Sequence, residues 1–258
     1  MSRIIAISNH KGGVAKTTTC FSLGACLASL GQRTLIVDLD PQADLTAAAA
    51  INLAEPGETL ADWLPPFRNG QSRPLPVYPT AAAGLDILPA DSRLASAERH
   101  LYDTAHYETI LAELLQPLNT TYSYILLDCP PSLGAITLAS LTAAQHAMIP
   151  VQTEYFAARR LNILLEVISA IKQRTNPGLD WHLLATMYDQ RNRISCGILD
   201  QLKHAFPGQL LDTVIGVDTR LRESPAVGEP ISMYAPRTRA SRQYFDLARE
   251  IHQKIRPE

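Results

Sequence analysis

Lys11 and Lys16 stand five residues apart in the run Asn9–His10–Lys11–Gly12–Gly13–Val14–Ala15–Lys16–Thr17–Thr18–Thr19. These residue types suit phosphate chemistry. The backbone N–H groups of a glycine-containing turn, continued by a helix N-terminus, can cradle an anion. Lys16 would reach the outer phosphates, and Thr17 would offer its hydroxyl to Mg²⁺. Lys11 lies too far back along the turn to repeat the work of Lys16. Two acidic segments follow. Thr34–Leu35–Ile36–Val37–Asp38–Leu39–Asp40–Pro41–Gln42 ends an apolar run in two carboxylates at i and i+2, which point to the same side. Tyr124–Ile125–Leu126–Leu127–Asp128–Cys129–Pro130–Pro131 ends a second apolar run in Asp128. A lone strand-ending Asp is ordinarily a cap or turn residue. A phosphate loop, an Asp pair and a further Asp, each ending a strand, instead describe a nucleotide–Mg²⁺ site. In open α/β sheets, ligands sit at the carboxyl ends of the strands.

The elements that must hold these residues are legible as alternating patterns. Apolar runs predict strands over 3–8, 33–38, 85–88, 123–128, 145–151, 181–186 and 212–216. Helical patterns lie between them, over 16–30, 107–116, 135–144, 159–174 and 195–205. Such alternation implies a Rossmann-like P-loop α/β fold, a mostly parallel twisted sheet covered by helices on both faces. Residues 65–79 contain Pro65, Pro66, Pro74, Pro76 and Pro79 and read as an irregular, solvated surface excursion. No linker or low-complexity block interrupts the pattern, so 1–258 is expected to be one domain.

The loop departs from G-x-x-x-x-G-K-[ST], because His10 and Ala15 stand where that pattern has glycine. Alanine costs little at position 15 if its φ is negative and strains the loop if φ is positive. The position opens a helix, so a negative φ is expected.

With these motifs in view, the chain resembles the ParA family of deviant Walker-A ATPases, relatives of MinD. The resemblance rests on K-G-G-V-x-K-T-T, D-x-D-P-Q and D-C-P-P-S-L-G at Asp128–Gly134. It extends to Pro150–Val151–Gln152–Thr153–Glu154–Tyr155–Phe156–Ala157, Thr186–Met187–Tyr188–Asp189–Gln190–Arg191 and Arg220–Leu221–Arg222–Glu223–Ser224–Pro225. It implies an ATP-dependent switch. Lys11, Gly12, Gly13, Val14, Ala15, Lys16, Thr17 and Thr18 would hold the nucleotide. Lys11 would cross a dimer interface to the partner's ATP, so that ATP joins a two-fold homodimer. Asp40 resembles the family's water-orienting residue. Asp38 and Asp128 would lie in the Mg²⁺ shell with Thr17. For each of these two acids, and for Asp38 especially, a structural hydrogen-bond acceptor is the alternative. Met187, Asp189 and the Ser224–Pro225 turn would wall the adenine, with a core role the alternative for Met187. One departure is local: Ala158–Arg159–Arg160–Leu161 replaces the family's usual Leu-Glu-Gly-Leu, which leaves the partner protein open.

The formal net charge of −2 does not advertise nucleic acid, but its distribution does. Arg220, Arg222, Arg237, Arg239, Arg242, Arg249, Lys254 and Arg256 make the C-terminal window basic. Arg242, Arg249 and Arg256 recur every seven residues and form one stripe, opposite a buried face of Tyr244, Leu247, Ala248, Ile251 and Ile255. A solvated face is the default for any one of them. The stripe together with Arg220 and Arg222 favours contact with duplex DNA phosphates without sequence readout, as in the family.

No apolar run approaches the ~20 residues of a membrane span. Ser2–Arg3 leads directly into the first strand, so neither a signal peptide nor the N-terminal DNA-binding arm of larger relatives is expected. Cys20, Cys26, Cys129 and Cys196 lack zinc spacing and read as reduced thiols of a cytoplasmic protein. They offer no match to the cluster cysteines of the nitrogenase iron protein, which shares this fold class. A MinD-like membrane-cycling ATPase would continue into an amphipathic helix. This sequence ends at Ile255–Arg256–Pro257–Glu258, so no membrane is expected as partner. A small-molecule kinase or synthetase would use the same loop but leave Lys11 unexplained. The expected partners are a second copy, non-specific DNA of the nucleoid, and a ParB-like or other cargo adaptor. The cargo is a plasmid, a chromosome or a protein assembly such as a carboxysome.

Overall fold

The computed structural model describes residues 1–51, 57–67, 73–154 and 157–255, with the side chains of 157–160 excepted. Eight strands form one sheet in the order β3-β4-β2-β5-β1-β6-β7-β8. They are β1 (Arg3–Ile7), β2 (Thr34–Asp38), β3 (Tyr78–Pro79), β4 (Leu85–Leu88), β5 (Tyr124–Asp128), β6 (His146–Gln152), β7 (Asp180–Tyr188) and β8 (Leu210–Gly216). The helices are α1 (Lys16–Ser29), α2 (Asp44–Ala48), α3 (Leu94–Leu101), α4 (Ile110–Leu115), α5 (Ala135–Ala143) and α6 (Ala157–Arg174). They continue as α7 (Arg193–Ala205), α8 (Arg220–Glu223), α9 (Ile231–Tyr234) and α10 (Arg239–Lys254). Every pairing is parallel except β3 with β4.

The central strands are short and apolar because both faces are covered. Alternate residues serve two cores. Ile4, Ala6, Leu35, Val37, Ile125, Leu127 and Ile149 pack beneath α3, α4, α5 and α6. Ile5, Ile7, Ile36, Leu126, Met148 and Leu184 face α1 and α10. Tyr244, Leu247, Ala248, Ile251 and Ile255 form the buried side of the last helical segment. Helix α1 lies close on the sheet. A Cβ at Gly24 would come within 2.9 Å of the Ile36 side chain and 3.0 Å of Leu85, so any larger residue there would have to displace those side chains.

Two expectations need correction. Residues 107–116 are not one helix: a short 3-10 turn over Tyr107–Thr109 precedes α4. The stretch 65–79 is more than a solvated excursion. Phe67, Leu75 and Val77 pack against the core, and Tyr78–Pro79 adds an antiparallel edge strand. An edge tolerates Pro79, whose nitrogen has no hydrogen to donate. Residues 68–72 lie outside the described residues.

At the other edge, β8 is irregular between Leu210 and Val214. There Glu250 of α10 accepts from the Asp212 N–H at 2.8 Å and the Thr213 N–H at 2.9 Å. Gln243 accepts from the Gly216 N–H at 3.1 Å.

Candidate functional site

The register levels the strand ends that matter. Asp128 pairs with Ile7 on one side and with Asp38 on the other. Both aspartates follow residues of the α1-facing core by two positions, so they point toward the first turn of α1.

The loop between β1 and α1 is held from several directions. The Asn9 side chain donates to the Pro150 carbonyl at 2.8 Å and accepts from the Lys11 N–H at 3.0 Å. Thr186 at the end of β7 donates to the Val14 carbonyl at 3.1 Å. Gly13 and Ala15 have φ of 74° and 70°, and Val14 between them does not share that region. Alternation of this kind turns successive N–H groups into one concavity. A Cβ on Gly12 or Gly13 would meet nothing within 4 Å, so open space lies before the loop. The N-cap residue Ala15 offers no side-chain cap to α1, which leaves its first amides available to an anion.

Ala15 therefore contradicts the expectation of a negative φ. It is the N-cap of α1 and left-handed, with ψ of 33°; the helix itself starts at Lys16. The concavity requires this conformation, and alanine adopts it at a cost of about 1–2 kcal/mol. Glycine relieves that strain but loses more entropy on folding, about 0.5–1 kcal/mol. Ala15→Gly is accordingly expected to stabilise the chain by up to about 1.5 kcal/mol. Urea unfolding of both proteins measures it, and a lower midpoint for the glycine variant would refute the strain.

Lys16 is 7% exposed and its ammonium donates to the Lys11 carbonyl at 3.1 Å, folded back over the loop. Burial pulls its pKa down, opposed by the charge of Asp128. Lys11 points elsewhere. Its ammonium lies 2.8 Å from both Gln152 Oε1 and Glu154 Oε2, just past β6.

The two buried aspartates differ. Asp38 Oδ2 accepts from the Thr46 N–H at 2.8 Å and its hydroxyl at 2.7 Å, and Oδ1 from the Asp40 N–H at 3.1 Å. This is the geometry of the structural-acceptor alternative. Burial still pushes its carboxyl up to about 6, against those bonds. Among the described residues, neither oxygen of Asp128 has a hydrogen-bond partner, although the group is 1% exposed. Burial, and then the charge of Asp38, push it well above the usual carboxylate range. The nearby Thr17 hydroxyl and the Lys16 ammonium act in the opposite sense. A buried carboxylate with both oxygens unsatisfied is costly and calls for a cation or proton. Asp40, half-buried, accepts from the Gln42 N–H at 2.9 Å through Oδ1 and steadies the turn after β2.

Two cavities flank the start of α1 and meet at Thr18. One, of about 540 Å³, is bordered by Thr17, Asp44, Ser224 and Pro225. The other, of about 180 Å³, is bordered by Ala15, Met187, Val217, Asp218 and Arg222. Met187 is half-exposed with φ 52°, a strained conformation that the surrounding structure must impose. Met187 and Pro225 thus line different cavities. Asp189 lines neither: its carboxylate holds Arg191 at 3.1 Å. Arg220, Arg242 and Arg249 are exposed on α8 and α10, and Arg249 pairs with Asp246 at 3.0 Å. Arg256 lies outside the described residues, as do the side chains of Arg159 and Arg160.

Sequence reasoning missed Thr46, and it gave no role to Gln152, Glu154 or Thr186. Gln152, Glu154 and Thr186 lie inside motif stretches, but their partners are over 140 residues away. No local spacing could have assigned those contacts.

Residues 2–181 match a family described as an AAA domain. The sporulation initiation inhibitor protein Soj of Bacillus subtilis is 39% identical, over 97% of this chain and 98% of that protein. The chain belongs to the ParA family. The chromosome partitioning protein ParA of Myxococcus xanthus is 37% identical, over 100% of this chain and 90% of that one. Among solved structures, cobyrinic acid a,c-diamide synthase from Mycobacterium smegmatis, with bound ATP analog and magnesium, superposes with a TM-score of 0.84. It is 31% identical, covering 99% of this chain and 96% of that one. The apo McdA of Cyanothece shares the fold at a TM-score of 0.84 and 23% identity, covering 97% and 99% of the two chains. In this chain Lys11 and Lys16 stand in the β1–α1 loop and at the start of α1, Asp38 and Asp128 end β2 and β5, and Asp40 lies in the turn after β2. No helix among the described residues is long and apolar enough to cross a membrane.

Proposed function

We propose that the chain is a Mg²⁺-dependent ATPase that dimerises on ATP, binds duplex DNA without sequence preference, and segregates or positions a cargo. The observation that carries this reading is Asp128, whose two buried oxygens lack hydrogen-bond partners among the described residues, beside Asp38 and the first turn of α1. A magnesium ion bound with ATP would satisfy them and supply charge neutralisation at the phosphates. Thr17, Asp128 and, through its neighbours, Asp38 would hold it. The loop N–H groups and Lys16 bind the phosphates, and Asp40 orients the attacking water. Met187 and Pro225 border the nucleotide from two sides. Lys11 exchanges Glu154 for the phosphates of a second copy's ATP. A ParB-like or other adaptor stimulates hydrolysis, and the ADP monomer leaves DNA. The protein would be cytoplasmic and nucleoid-associated, with a chromosome or plasmid as cargo; the chromosome partitioning ParA of Myxococcus xanthus supports the chromosome. A protein assembly is the second possibility.

The raised carboxyls set a pH dependence. Below about 6, Asp38 is protonated in the folded chain, and a divalent cation must displace that proton. Mg²⁺ affinity is therefore expected to fall between about pH 7 and about pH 5, by roughly tenfold per unit for each proton displaced. Calorimetric titration in buffers of different protonation enthalpy reads both the affinity and the proton count. An affinity independent of pH would remove these carboxyls from the metal site. Melting is a poorer probe, because two buried groups act on it with opposite sign. The cost of burying Asp38 disappears as pH falls through about 6. His146, lowered to about 4 by burial, begins to destabilise the fold over the same interval.

DNA binding is tested by charge reversal. Arg220→Glu and Arg249→Glu in the ATP state are expected to weaken binding of mixed-sequence duplex. Each lost contact lowers the log–log salt slope by about 0.9. Arg222 is reversed separately with ATP affinity monitored, because it also borders the smaller cavity. If the reversed proteins keep the wild-type slope, the DNA surface lies elsewhere, with Arg159 and Arg160 next. A wild-type dimer that ignores DNA but binds anionic vesicles would favour a MinD-like cycle. The relative named a cobyrinic acid a,c-diamide synthase supports a metabolic alternative, in which ATP turnover would depend on a carboxylic acid substrate and not on DNA.

A further inference from the structure

The starts of β6 and β7, at the far end of the sheet from the phosphate loop, carry polar groups that the ATPase does not use. His146 pairs with Asp180, and Met148 with His182. Opposed residues of parallel strands share a face, as do residues two apart. His146, Asp180 and His182 therefore stand together on the α10 side, in line with Met148 and Leu184 of that core. The two imidazole centroids are 6.2 Å apart with their planes at 35°. One donor atom from each of the three residues lies within 4.8 Å of the others. Both Nδ1 atoms are buried without a hydrogen-bond partner among the described residues, although such atoms are ordinarily satisfied. Asp180 is exposed; one of its oxygens accepts from the Trp181 N–H at 2.8 Å, and the other faces no such claim.

We propose that His146, Asp180 and His182 form a binding site for a divalent transition metal, with zinc the best-fitting ion. Two imidazoles and a carboxylate form a ligand set suited to zinc, with a fourth position for water. Magnesium prefers oxygen ligands and is not selected. Ligands on a tetrahedral zinc stand ~3.4 Å apart, given bonds of 2.0–2.1 Å. Small side-chain rotations by two half-exposed rings and an exposed carboxylate close the gap from 4.8 Å. Burial lowers the pKa of both imidazoles, which keeps the neutral, ligating form at neutral pH. Arg3 and Lys254 are the cations acting on the rings, and Lys254 lies 3.8 Å from Glu250. Glu250 itself is committed to the β8 amides and supplies no ligand. The metal would staple the entry of β6 to that of β7.

Untagged full-length protein, stripped of metal, is titrated with Co²⁺ under excess Mg²⁺ and followed by visible absorption, then back-titrated with Zn²⁺. The expected result is one equivalent bound, with a ligand-field spectrum lacking thiolate charge transfer, and displacement by Zn²⁺. Asp180→Asn and His182→Gln are each expected to weaken Co²⁺ by at least roughly 10- to 100-fold, the loss that even outer-shell partners cause. Cys196→Ser leaves it unchanged. Circular dichroism verifies folding; if His182→Gln is unfolded, the exposed Asp180→Asn carries the test. The proposal is overturned if the wild type takes up no Co²⁺ or Zn²⁺, or if Asp180→Asn binds as tightly as the wild type.

Discussion

Lys16→Ala is expected to lose ATP binding, whereas Lys11→Ala binds ATP as a monomer and fails to dimerise. The difference follows from where the two ammonium groups rest. Lys16 is buried and folded over the loop that would cradle the phosphates. Truncating one partner of a buried charged contact costs about 2–5 kcal/mol, or roughly 30- to 4,000-fold in affinity. Lys11 contributes nothing inside its own loop beyond its backbone. Its side chain leans out to Gln152 and Glu154. Nucleotide affinity and sedimentation with and without ATP separate the two roles. Normal ATP-dependent dimerisation of Lys11→Ala would end the cross-subunit assignment.

The second large effect is at Asp40. Asp40→Ala is expected to form an ATP dimer that binds DNA but hydrolyses ATP ~10²–10⁴-fold more slowly, the usual cost of removing a group that handles the attacking water. Because Asp40 also accepts the Gln42 N–H, alanine loosens the turn after β2. Asp40→Asn keeps that acceptor. If both variants are slow, the loss is chemical; if only alanine is slow, Asp40 acts through the turn. Wild-type turnover in both would remove it from the reaction.

Much of this site was legible in the sequence because fully buried parallel strands read as apolar runs, and the functional groups sit at their ends. The strand ends at Ile7, Asp38 and Asp128 fell within a residue of expectation for that reason. Ala15 was not legible. Whether an alanine at the mouth of a helix is the cap or the first helical residue decides its φ, and sequence does not distinguish the two. Asp38 and Asp128 looked alike as strand-ending acids, yet Thr46 satisfies one, while the oxygens of the other have no hydrogen-bond partner among the described residues. The pairing of His146 with Asp180 depends on strand register, which neither segment encodes alone.

The bonds from α10 to β8 have a consequence for self-association. A terminal strand normally offers its spare amides as a template for another strand, the first step of edge-to-edge aggregation. In β8 the irregular segment turns two neighbouring amides onto one carboxylate, and a glutamine takes a third. An incoming strand finds those donors occupied and the ladder out of step. The sheet is thereby closed to growth at that edge by its own last helix. Copies of this chain can then crowd together without their sheets fusing into fibres along that edge.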